Sequence, residues 1–198
     1  MAIEIKKGDV LLYPNNKNNP IYKYTSGMFG EFITNLLVKA SNYRYMHTAV
    51  YICPSKHKGY FWTLEAIDKG IYLIEKPISH LQFVDIIRRQ GITEKQRKDL
   101  VDIALNKYWN KPYDFTSLLL NGVCQLAEVV ELQDYLKDLF MKYADTPHML
   151  ICSELVARLM RDVGLPVEKN GADEFVTPSD LAESPSFAMI LKNTEDII

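Results

Sequence analysis

The sequence predicts an α+β fold, an antiparallel sheet of about five strands packed against helices. Two observations lead there. Between residues 47 and 89 short apolar runs rich in β-branched and aromatic residues follow one another, separated by turn signals. From Thr93 onward the apolar period changes to that of a helix. The chain has 198 residues, 47% of them apolar, which suits one domain with a substantial core. Without a repeat, low-complexity tract or linker, a single domain over 1–198 is expected.

Gly8-Asp9 before VLLY reads as a turn leading into a first strand, and Pro14 with NNKNNP as a loop. Residues 28–40 place Phe29, Phe32, Ile33, Leu36 and Leu37 at helical spacing, so a helix is expected there. HTAVYIC and YFWTLEAI flank PSKHKG as a hairpin; GIYLIEK and FVDIIRR supply two more strands. Thr93 and Gln96 have the spacing of a capping box, ahead of an apolar face of Leu100, Val101, Ala104, Leu105 and Tyr108 that ends at Asn110 to Pro112. Asp114 can cap another helix toward Gly122, and an amphipathic segment from about 125 to 143 reads as a further one. Thr146 and Pro147 break it before MLICSELVARLMRDVG, which closes on Gly164 and Pro166. The tail containing VTPSDLAES reads as a turn and one helical turn.

Composition excludes more than it selects. Lys and Arg number 23 against 25 Asp and Glu, a formal charge of -2, so no charge excess points to nucleic acid or a lipid surface. No apolar run approaches the roughly 18 residues of a membrane span, and the first residues lack a signal-peptide core, so no integral membrane segment and a cytoplasmic location are expected. Cys53, Cys124 and Cys152 are too few and too widely spaced for a disulfide framework or a zinc knuckle. No metal is expected, because no pair of histidines and acids has the close spacing of a metal site, and no cofactor is expected.

The chemistry concentrates on three residues. In ICSELVARLM the helical period begins after Ile151, which puts Cys152 at a helix start. Unpaired backbone N–H groups and the positive end of the macrodipole favour a thiolate there, and the same groups can stabilise an oxyanion. A buried helix cysteine is the plain structural alternative. His47 opens a strand on which His47, Ala49, Tyr51 and Cys53 share one face. A five-residue loop centred on Lys56 makes paired residue numbers sum to 112, which sets His47 directly opposite Glu65 with Cβ atoms roughly 4.5 to 5.5 Å apart. Glu65 then orients the imidazole while His47 takes the thiol proton.

In order along the chain, GDVLLY, YMHTAVYI, TLEAIDKGI, KPYDF, CSELV and TPSDLA resemble the permuted, YiiX-like branch of the NlpC-type papain-like cysteine hydrolases. The resemblance implies a circularly permuted papain-like fold, because His47 and Glu65 precede the cysteine helix. It also implies Cys152 as nucleophile, His47 as general base, Glu65 as the third polar residue, and an amide bond in a small peptide or peptidoglycan fragment as the substrate. Two departures, Met46 before the histidine and the long stretch 120–147, bear on substrate choice more than on chemistry.

Other residues are weaker candidates. Tyr45 is a candidate for lining the cleft or donating to an oxyanion, with packing as the competing reading. His148 is an alternative base four residues before Cys152, Cys53 and Cys124 read as packed thiols, and His57 and His80 as solvated. Two other functions compete. One is acyl transfer from lipid on a related permuted fold, whose members usually carry a second histidine where Glu65 stands; the other is a binding protein with an idle site.

Overall fold

The computed structural model describes residues 4–14, 44–67, 70–112, 152–167, 173 and 176–193. They form a mixed α+β structure around one antiparallel sheet: β1 (Val10–Pro14), β2 (Tyr45–Pro54), β3 (Tyr60–Ile67), β4 (Gly70–Pro77), β5 (Asp85–Arg89) and β6 (Phe187–Leu191). The order is β4-β3-β2-β1-β5-β6, so the N-terminal strand lies between β2 and β5 rather than at an edge. Among the described residues the sheet therefore has six strands where about five were expected. The additional one, β6, follows the expected helical turn, which is α3 (Pro178–Glu183). It is a short edge strand of five residues with Met189 exposed.

Alternation divides the sheet's side chains between two faces, and both are buried. Val10, Leu12, Val50, Ile52, Leu64, Ala66 and Ile87 pack with Leu100, Leu155, Val156, Leu159 and Met160 from the helices. The opposite face gathers Leu11, Tyr13, Ala49, Tyr51, Phe61, Val84 and Ile86. Burial on both faces accounts for the nearly continuous apolar run VLLYP of β1.

Helix α1 (Glu94–Ile103) begins with the expected capping box: Gln96 N–H donates to the Thr93 hydroxyl at 3.2 Å, and Thr93 N–H donates to Gln96 Oε1 at 3.0 Å. It widens into a π turn over Ala104–Tyr108 and stops at Asn110, whose φ of 63° lies in the left-handed region. Helix α2 (Cys152–Asp162) packs on β2, β3 and α1. Its end is a Schellman motif: Leu165 N–H reaches the Met160 carbonyl at 2.9 Å and Gly164 N–H the Arg161 carbonyl at 2.8 Å, with Gly164 at φ 76°. Thr177, Pro178 and Asp180 cap α3 in the same way as Thr93 and Gln96 cap α1.

The chain leaving α1 is stitched to β4. Ile71 N–H donates to the Lys111 carbonyl at 2.8 Å, and Asn110 N–H donates to the Ile71 carbonyl at 2.9 Å. Gly70 makes this approach possible: its φ is 129°, and a Cβ there would stand 2.6 Å from the Lys111 carbonyl oxygen.

The helices expected over 28–40, after Asp114 and over 125–143 lie outside the described residues, as do Cys124 and His148. Among the described residues no helix is long and apolar enough to cross a membrane.

Candidate active site

The three residues singled out in the sequence meet. Cys152 is the first residue of α2, whose buried stripe of Leu155, Val156, Leu159 and Met160 holds that helix end against the sheet. His47 lies beside Cys152, close enough for each to act on the other's ionisation. On its other side His47 Nε2 lies 3.1 Å from Glu65 Oε2, with both side chains buried. Because Nε2 faces the carboxylate, Nδ1 is the ring nitrogen left for the thiol.

The strand register behind this contact differs from the expected one. Paired numbers sum to 114 at Val50–Leu64 and Tyr51–Thr63, then to 115 at Cys53–Trp62, with a bulge at Ile52 between them. Continued along the strands, the same register sets Ala49, not His47, opposite Glu65. His47 and Glu65 are thus diagonal neighbours rather than a direct pair. A slip of two preserves the face on which each side chain lies, so the contact survives the wrong register. The same bulge turns Cys53 to the helix-covered face, away from the His47 face it was expected to share.

A second bulge shapes the start of β2. Tyr13 pairs with His47 but Pro14 with Tyr45, which leaves Met46 as the extra residue. Tyr45 consequently packs with the helix-side core, and its hydroxyl donates to Asp85 Oδ2 at 2.6 Å. That bond takes its proton away from the oxyanion role considered for it, and packing is the role in which the structure finds it.

Electrostatics favour an ion pair between thiol and imidazole. Burial opposes ionisation of Cys152, but the charge and hydrogen bond of His47, with help from the Thr48 backbone and hydroxyl, hold the thiol below its ordinary value. Burial also works against a charged His47, yet Cys152 and Glu65 raise it to about 9. Glu65 is buried too. The Lys76 charge and then the His47 contact overcome that burial and lower the carboxyl to about 2.

Residues the sequence reading passed over complete the surroundings. Thr63 donates to Glu65 Oε1 at 2.6 Å, and Lys76 Nζ lies 2.8 Å from the same oxygen. Lys76 also donates to the Tyr13 hydroxyl at 2.8 Å, and His80 Nε2 lies 3.2 Å from that hydroxyl. His80 is therefore half-buried in a polar network, contrary to the solvated position expected for it. Burial, then the Lys76 charge, lowers it to about 4, so it is neutral at pH 7 and able to accept from Tyr13. The sequence did carry one usable signal. Phe61 and Lys76 are cross-strand partners, and alternation from Phe61 puts Thr63, Glu65 and Lys76 on one face. Among the described residues no three His, Cys, Asp or Glu side chains gather as a metal site requires.

Comparison with known proteins adds no assignment: no family model matches the chain, and no curated protein does.

Proposed function

We propose that the chain is a cysteine hydrolase acting on amide bonds of small peptides, on a circularly permuted papain-like fold. Cys152 is the nucleophile, His47 the general base and then the general acid, and Glu65 the group that orients and stabilises the imidazolium. The observation that carries this reading is the buried line Cys152–His47–Glu65 with the thiol at a helix N-terminus. A buried structural cysteine has no need of a histidine whose far nitrogen is held by a carboxylate; a thiolate nucleophile does. In the reaction the thiolate attacks the carbonyl carbon, and the oxyanion that forms is stabilised by N–H groups at the start of α2. His47 gives its proton to the leaving amine. Water, deprotonated by the same ring, then hydrolyses the thioester and frees Cys152. The resemblance in sequence supports peptide stems of the bacterial cell wall as the substrate class.

The test is to incubate the protein and its Cys152→Ala variant with muropeptides, other short peptides and acyl-lipids, reading products by mass spectrometry. Peptide cleavage that disappears in the variant is expected. Turnover surviving the substitution overturns the mechanism, and acyl transfer from lipid with peptides untouched replaces the hydrolase reading by an acyltransferase.

A further inference from the structure

We propose that Lys76 is a positioning residue for this site: its ammonium, clamped between Glu65 and the Tyr13 hydroxyl, keeps the Glu65 carboxylate charged and aimed at His47. The inference rests on the thiol-hydrolase reading and extends it to a residue on a different strand.

The geometry is a line of groups that starts at the head of α2 and runs across the sheet on the face that carries His47. Cys152 meets His47; His47 meets Glu65 at 3.1 Å; Glu65 meets Lys76 at 2.8 Å; Lys76 meets Tyr13 at 2.8 Å; and Tyr13 meets His80 at 3.2 Å. These groups come from α2, β2, β3, β4, β1 and the short 3₁₀ helix Ile78–Phe83 that follows β4. Among the described residues the Thr63 hydroxyl is the remaining polar group on the carboxylate. Thiolate, imidazolium, carboxylate and ammonium alternate in sign and sum to zero, and neutral Tyr13 and His80 close the line.

Such a row is tolerated away from water because each charge has an opposite neighbour. Take away the ammonium and the buried row carries a net negative charge, which it relieves by binding a proton. If Glu65 takes the proton, the imidazolium loses its anchor; if Cys152 takes it, the nucleophile is lost directly. Either way the thiolate population falls at a given pH. Lys76 is suited to this task by its confinement. Its side chain is 10% exposed, and Tyr13, itself buried and in ring contact with both His47 and His80, supplies its second anchor. Surface lysines, free to swing, supply no such fixed charge.

The experiment is the pH dependence of Cys152 alkylation by iodoacetamide, followed by peptide mapping so that Cys53 and Cys124 are counted separately. The unmodified protein should show a limb well below the roughly 8.5 of a free thiol. In Lys76→Met that limb should move up by about one pH unit or more, the scale of a lost close opposite charge. Lys76→Arg should restore most of it. Adding Lys76→Met to Glu65→Gln should cause no further upward shift, because the lysine acts through the carboxylate. A normal thiol titration in the unmodified protein removes the hydrolase reading itself. A low limb there, unchanged in a folded Lys76→Met protein or raised equally in the Glu65→Gln background, overturns the role of Lys76 alone. Should Lys76→Met fail to fold, Tyr13→Phe decides: it leaves every charge in place and frees the ammonium, and an unchanged limb counts against the clamp.

Discussion

Two histidine–glutamate pairs, each separated by 18 residues, lie along the β2–β3–β4 hairpins, and their contact distances are nearly the same. His47 Nε2 is 3.1 Å from Glu65 Oε2; His57 Nδ1 is 2.9 Å from Glu75 Oε1. The surroundings differ completely. The side chains of His47 and Glu65 are 6% and 1% exposed, whereas His57 is 73% exposed at the hairpin tip. In water an ion pair at such a distance is screened and costs side-chain freedom. Out of water the same contact is strong enough to decide which groups carry protons. Around Glu75, hydrogen bonds from Ser55 and His57 favour the carboxylate, and that is a local surface matter. Around Glu65, burial, Lys76 and His47 act on one another, and the outcome reaches a cysteine on a different element.

The comparison breaks first at Cys152. On the proposed mechanism Cys152→Ala is expected to lower turnover by about 10⁴-fold or more, as removal of a nucleophile does elsewhere, measured by product formation under excess enzyme. His47→Ala should cost a similar order in turnover, and it should also return Cys152 alkylation to the pH dependence of an ordinary thiol near about 8.5. His57→Ala, with the same chemistry removed from the exposed pair, should leave both readouts where they were.

On the proposed mechanism a smaller effect is expected from Glu65→Gln, about 10²-fold in turnover, because the proposed base remains and only its orientation and charge stabilisation are lost. Stability separates the two carboxylates in turn. Glu65 sits at about 2 in the folded protein against 4.5 for the free side chain, so its contribution is complete above about 4.5 and is lost as pH falls toward about 2. Melting temperatures measured across that range should fall steeply in the unmodified protein and less steeply in Glu65→Gln. The smallest change belongs to Glu75→Gln, whose acid-side melting profile should follow that of the unmodified protein.

Local signals in the sequence were readable where local chemistry decides the structure. The β-rich run Tyr60–Ile67 is a strand over its whole length, and Thr93 with Gln96 marks the start of α1. Cys152 heads its helix because the apolar period starts there. Non-local features were another matter. Nothing in HTAVYICPSKHKGYFW announces that the hairpin closes with Pro54 opposite Phe61, a sum of 115 rather than 112, or that a bulge at Ile52 brings the sum to 114, two off the expected register. The bulge makes that offset even, and by the period of two an even offset keeps Glu65 on the expected face. Tyr45 changed faces for a similar reason, through the extra residue at Met46. Lys76, Tyr13 and His80 looked unrelated in sequence, because their association depends on β1 being inserted between β2 and β5. A polar network assembled from several elements becomes legible only when strand order is known.

Gly70 has consequences of its own for how this chain tolerates change. It bears no functional group, yet the Lys111 carbonyl occupies the space where any other residue would put its first carbon. In a saturation scan it should therefore behave like a catalytic position, rejecting every substitution, while neighbouring Tyr72, 37% exposed, accepts many. Selection on such a library would report Gly70 and Cys152 as equally intolerant. Only a separate measure of abundance would reveal that one loss is of folded protein and the other of chemistry.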